Sequence, residues 1–172
     1  SHSATGEARQ ASYAFSEALR LNPNHAIALV GLANATTEAP EPSTDAYKAA
    51  IKSNPRILKA YLGLANSLTD PKRAIQLLIS ATNHLPDSAA LHREILSRAI
   101  VLGDTQGAFD YLRQAVTNPL AAYPSTYALV TLLPLKEVQP LIDFLVPGLA
   151  RFPNDPLILE AAALLDLRNG NP

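Results

Sequence analysis

Five prolines recur along this chain at a nearly fixed interval. Asn22-Pro23, Asn54-Pro55, Leu85-Pro86, Asn118-Pro119 and Phe152-Pro153 lie 32, 31, 33 and 34 residues apart. Proline cannot continue a helix, and it pushes the residue before it out of the α region, so each marks a helix end. What precedes them is equally regular. Ala11, Phe15 and Ala18 stand before Pro23, Ser43, Tyr47 and Ala50 before Pro55, and Ala74, Leu78 and Ala81 before Pro86, at the same offsets. Ala108, Leu112 and Ala115 repeat the order one residue closer to Pro119. Offsets of four and three put a small, a large and a small residue on one helical stripe, where small side chains let a second backbone approach.

After each proline comes a second amphipathic stretch: residues 26–37, 58–69, 89–102, about 125–133, and 157–168. Each period is therefore two helices. Residues 29–38 (LVGLANATTE) and 61–70 (YLGLANSLTD) are near copies, sharing Gly-Leu-Ala-Asn at 31–34 and 63–66 with Thr37 and Thr69 three residues on. Leu29, Leu32 and Ala33, then Tyr61, Leu64 and Ala65, followed by Gly103-Asp104 and Ala108, resemble the tetratricopeptide repeat (TPR). That resemblance implies an all-α, right-handed α-solenoid of antiparallel helix pairs with about ten helices. The expected layout is one array: a lone second helix at 7–22, pairs at 26–54, 58–85, 89–118 and 122–152, and a lone first helix at 156–169. The pair at 122–152 departs from the pattern, because Leu141 stands where a small residue is expected. Pro147 also falls inside its second helix, which predicts a kink or two short helices.

Composition narrows the functional classes. Of 172 residues, 48% are hydrophobic and 17% charged, enough to bury a core, and the formal charge of −1 speaks against a nucleic-acid or anionic-membrane surface. There is no cysteine, which removes disulfides, thiolate metal sites and a cysteine nucleophile. Every apolar run is interrupted before the ~20 residues of a membrane span. The sequence holds no glycine-rich phosphate loop, nucleophile triad order or paired-carboxylate motif, so the reading is non-enzymatic, with no cofactor and no metal. His25, His84 and His92 read as solvated or satisfied side chains. Glu38, Glu41 and Asp45 read as a solubilising acidic turn.

Asn34 and Asn66 fall ~130° from the packing stripe of their helices, in line with Val30 and Leu62 one turn earlier. In TPR proteins that second face lines the concave groove, and an Asn there hydrogen-bonds the backbone of an extended peptide. The resemblance therefore implies a protein-interaction scaffold that binds a peptide segment or helix. Its site would comprise Asn34, Asn66, Ile27, Val30, Thr37, Lys59, Leu62, Thr69, Arg93 and Ser97. Lys59 and Arg93 could grip a carboxylate, although Val30 and Gly63 stand where a basic clamp wants polar groups. An internal module of a larger secretion or assembly protein is the alternative. An RNA-binding helical repeat is disfavoured by the charge.

Gly6 and Gly170 fall at the position that Gly103 holds in its own repeat, so both ends are expected to lie in a turn between paired helices. With no methionine in the sequence, this reads as a processed or excised segment. The apolar stretch LILEAAALLDL at 157–167 would then expose a strip able to drive self-association.

Overall fold

The computed structural model describes residues 2–35 and 40–170. Among them the polypeptide is all-α, with ten α-helices, one short 3-10 segment and no strand. In chain order these are α1 (His2–Leu21), α2 (Ala26–Ala35), α3 (Pro40–Ser53), α4 (Leu58–Ser67), α5 (Pro71–Ala81), α6 (Ala89–Val101), α7 (Thr105–Ala115), α8 (Pro124–Ala128), α9 (Gln139–Arg151) and α10 (Pro156–Arg168). The 3-10 segment, Leu129–Leu132, continues α8. The chain divides into two compact units, Ser1–Leu85 and Pro86–Pro172. The boundary is one of the periodic prolines.

The punctuation has a local chemistry. Pro23, Pro55 and Pro119 each follow an Asn whose Oδ1 accepts an N–H two residues on: Asn24 at 3.2 Å, Arg56 at 2.9 Å and Leu120 at 3.0 Å. The carboxamide thus closes a turn across a residue that has no N–H of its own. Helix starts are capped in the same spirit. Asp70 and Asp155 precede Pro71 and Pro156 at the first helical position, and each carboxylate accepts two of the free N–H groups beyond. Ser88 caps α6 and Asp104 caps α7. Gly103 and Gly170 have φ of +76° and +79°, the left-handed conformation that ends a helix most cheaply with glycine. Gly6 instead lies inside α1, which begins at His2 rather than at residue 7. A glycine within a helix costs only about 1 kcal/mol, too little to stop one by itself.

In the first unit, α1 packs on α2, α2 on α3 and α4, α3 on α4, and α4 on α5. The small-large-small stripes are the packing surface: Ser43, Tyr47 and Ala50 are buried on α3, and Ala74, Leu78 and Ala81 on α5. The Gly-Leu-Ala-Asn copies explain themselves here. A Cβ placed on Gly31 would lie 2.4 Å from the Phe15 ring, and one on Gly63 would lie 2.3 Å from the Tyr47 ring. Each glycine makes room for the aromatic of the helix sixteen residues back. The following Leu and Ala turn toward the core, where Ala33, Leu64 and Ala65 are buried.

In the second unit, α6 packs on α7 and α8, and α10 on α8 and α9. Leu141 is fully buried, and the small residue of this helix is Gly148, two turns on, where a Cβ would meet the Tyr127 ring at 2.9 Å. Tyr127 also lies 5.6 Å from the Phe144 ring and 6.5 Å from that of Phe152. Helix α9 runs through Pro147 without splitting into two helices. Pro147 and Asp143, whose carbonyl loses its intrahelical partner, are both on the exposed side, where water can take up that bond.

Candidate functional site

The open face of α2 and α4 carries the first-unit residues expected to bind a peptide. Ile27 is 67% exposed, and Asn34, Lys59 and Asn66 are also exposed, with Leu62 half-buried; Thr69 is exposed too but lies past the end of α4, in the link to α5. Val30 is not on this face. It is 4% exposed and packs in the core with Ala33, Tyr47, Ala50, Ala60 and Leu64. A helix of alanines and glycine lets its neighbours close over the flank of the stripe, so an angular offset that exposes Asn34 still buries the residue one turn earlier. Thr37 lies outside the described residues.

Asn34 is tied into the fold. The Tyr47 hydroxyl donates to its Oδ1 at 2.5 Å, joining α3 to the exposed edge of α2. Burial pushes the Tyr47 phenol above its ordinary value of 10, so it stays a neutral donor at physiological pH. The carboxamide is thereby held in one orientation.

The second unit has a defined groove of about 290 Å³ between α6, the α8 segment and α10. Leu129, Leu132, Leu157 and Leu164 supply apolar walls, and Ser125 and Thr131 supply hydroxyls. Arg93 of α6 and Glu160 of α10 bring opposite charges to its lining. Arg93 is thus a sequence-predicted residue that the fold brings to a cavity. Ser97 is exposed on α6 but does not line the groove. Leu157, Glu160 and Leu164 do not stand out in the sequence because α10 is apolar nearly all round, and Leu132 does not because it lies in the short 3-10 segment after α8. The signal was the stripe at 157, 160 and 164, spaced by three and four.

His92 is a buried residue of α6. Its Nδ1 lies 2.5 Å from the Tyr111 hydroxyl and its Nε2 lies 2.9 Å from the Pro86 carbonyl oxygen. Both ring nitrogens are occupied, and burial pushes the Tyr111 phenol well above its ordinary value. His25 is exposed, and its Nδ1 accepts from the Ala28 N–H at the start of α2. His84 is exposed as well. No group of three or more His, Cys, Asp or Glu side chains that could hold a metal occurs among the described residues, and no helix there is long and apolar enough to cross a membrane. Asp45, expected in an acidic turn, lies instead in α3, where it is exposed and pairs with Lys48 at 3.3 Å; Glu41 is in the first turn of the same helix, and Glu38 lies outside the described residues.

No family model matches the sequence, and no curated protein matches it. Solved structures do match the fold. TTC0263, a thermophilic TPR protein of Thermus thermophilus, is 24% identical with a TM-score of 0.51 over 94% of this chain and 92% of its own. MamA is 15% identical with a TM-score of 0.54, covering 96% and 90%. YrrB, a TPR protein with an unusual peptide-binding site, is 18% identical with a TM-score of 0.51, covering 94% and 86%. At these identities the likeness speaks to the fold alone, and it agrees with the helix pairs, the proline period and the small-large-small stripes: the chain has the helical-repeat fold of the TPR proteins.

Proposed function

We propose that this protein is a non-catalytic interaction scaffold that binds an extended segment or helix of a partner protein on the open faces of first-of-pair helices within a unit. The observation that carries the reading is the groove between α6, the α8 segment and α10. It has leucine walls, hydroxyls for a backbone and one charge of each sign in its lining. Its volume of about 290 Å³ suits one or two apolar side chains of a bound peptide, with Arg93 and Glu160 selecting their neighbours. On α2, the Asn34 carboxamide is held by Tyr47 through its oxygen and keeps its NH2 group to donate to a peptide carbonyl, and Asn66 is exposed at the matching position of α4. The peptide-binding site of YrrB offers a precedent on the same fold.

Selection from a random peptide library, followed by titration of the recovered peptides, tests this. Leu164→Glu changes a half-exposed groove residue and leaves the core intact, and it should abolish binding of groove-directed peptides. Asn34→Ala with Asn66→Ala should weaken peptides held on the first unit by about 1–3 kcal/mol, the cost of lost buried hydrogen bonds. Peptides that bind all these variants as tightly as the parent would refute the assignment.

A further inference from the structure

The first unit holds an open cleft of about 430 Å³ lined by α3, α4, α5 and the turn after α5. Ile51, Leu64 and Leu77 make part of the lining apolar. Lys48, Lys52 and His84 line it as well, all three exposed, and no acidic side chain does. Lys48 is shared with Asp45 in a solvent-exposed pair, whereas Lys52 makes no ion pair among the described residues. The remaining observation is Tyr61, which also lines the cleft and is 3% exposed. Its hydroxyl makes no hydrogen bond among the described residues. No fully buried side-chain polar atom among them lacks a partner, so this hydroxyl is not fully buried, and Tyr61 is part of the cleft lining. A nine-tenths-buried ring thus adds an unused hydroxyl to a lining that holds Ser80 and Asn83 beside the apolar side chains, the two lysines and His84.

We propose that this cleft is a docking site for an acidic peptide segment, seating one bulky apolar side chain between α3 and α5 with flanking carboxylates on Lys52 and Lys48 and an acceptor on the Tyr61 hydroxyl. Charge complementarity selects this occupant. The walls require an apolar group, the rim requires an anion, and the phenol, held above its ordinary value by burial, remains a donor at physiological pH. Two lysines on a chain of net charge −1 do not make the extended basic track that a nucleic acid needs. The site shares no residue with the groove of the second unit, and its test is independent of that reading.

The probe is the capped pentapeptide Gly-Glu-Phe-Glu-Gly, titrated into the full chain and followed by backbone amide chemical shifts. Saturable shifts are expected in α3 and α5 around Lys52, Leu77 and His84. Replacing both peptide glutamates with Gln, or its Phe with Ala, should weaken binding about fivefold or more. Lys52→Glu, at an exposed position that leaves packing intact, should do the same, and Tyr61→Phe should weaken it about two- to fivefold. Leu164→Glu should have no effect. The proposal is overturned if the glutamine peptide binds as well as the acidic one, if Lys52→Glu changes nothing, or if the shifts gather around Asn34 and Asn66. It is equally overturned if inorganic phosphate alone takes the rim and displaces the peptide, or if no saturable shift appears up to about 10 mM.

Discussion

Replacing Gly63 with alanine sets a gain in helix propensity against a collision. Alanine is favoured over glycine inside a helix by about 1 kcal/mol. Against that, the new Cβ would lie 2.3 Å from two carbons of the Tyr47 ring, far inside contact distance. The ring cannot swing aside freely. It is 6% exposed, and its hydroxyl is held by Asn34. Overpacking of this kind costs about 1–3 kcal/mol, and moving the ring adds about 1 kcal/mol for the hydrogen bond. The net is a destabilisation of about 1–3 kcal/mol, read as a fall in melting temperature of roughly 2–12 °C for a chain of this size. Tyr47→Leu removes the colliding ring, so the double variant should be more stable than the two single losses added together. Gly31→Ala should cost less, because the Phe15 ring it meets is only half-buried and has no polar tether. A Gly63→Ala variant that melts at or above the parent, or a coupling with Tyr47→Leu within about 0.5 kcal/mol, would refute this account of the repeated glycine.

Burial raises the phenols of Tyr47, Tyr61 and Tyr111, so the folded chain keeps protons that the unfolded chain gives up near the ordinary value of 10. Their contribution to stability is intact below about pH 10 and is lost as pH rises toward the folded values. Melting temperature should fall across that window together with a phenolate absorbance step, and Tyr111→Phe should flatten the fall; a melting temperature unchanged through pH 11 would contradict it. Asp155→Ala removes the acceptor for two N–H groups at the start of α10 and should cost about 1 kcal/mol in urea unfolding. Pro147→Ala restores an N–H inside α9 and should stabilise the chain by about 1–3 kcal/mol, with slower hydrogen exchange across residues 139–151; unchanged exchange would mean that the helix is already fully adapted to the proline.

The fold was legible because its two strongest signals are backbone constraints. A proline ends a helix whatever surrounds it, and a small-large-small stripe admits only close helix packing, so helix number and order follow from the letters. Gly6 misled because glycine permits a turn without requiring one. The conformation at Gly103 is reinforced by the Asp104 cap, and Gly6 has Glu7 after it, which suits a continuing helix. The site was less legible, since an angular offset does not say how deeply neighbours close over a helix of small residues. Asn34 and Val30 share a face on a helical wheel, yet one is exposed and the other is core. The cleft around Tyr61 had no sequence signature, because Lys48 and Lys52 come from α3, Tyr61 from α4 and His84 from the turn after α5.

The Asn-Pro turns also bear on how the chain ages. Spontaneous deamidation of asparagine begins when the backbone nitrogen of the next residue, having lost its hydrogen, attacks the side-chain carbonyl to form a five-membered succinimide. At Asn22, Asn54 and Asn118 that nitrogen belongs to proline and carries no hydrogen, and the side-chain oxygen is already occupied by the N–H two residues on. Three of the links between helix pairs are thus built from a residue type that is otherwise thermally labile, in the one sequence context that blocks this route to its decay. Asn169 has the opposite setting. It is exposed and precedes Gly170, which has no side chain to crowd the ring-closing attack and whose N–H is held only by a 3.2 Å bond to the Leu167 carbonyl at the helix end. On prolonged storage a new negative charge should therefore appear at the end of α10 while the three turns keep their amides.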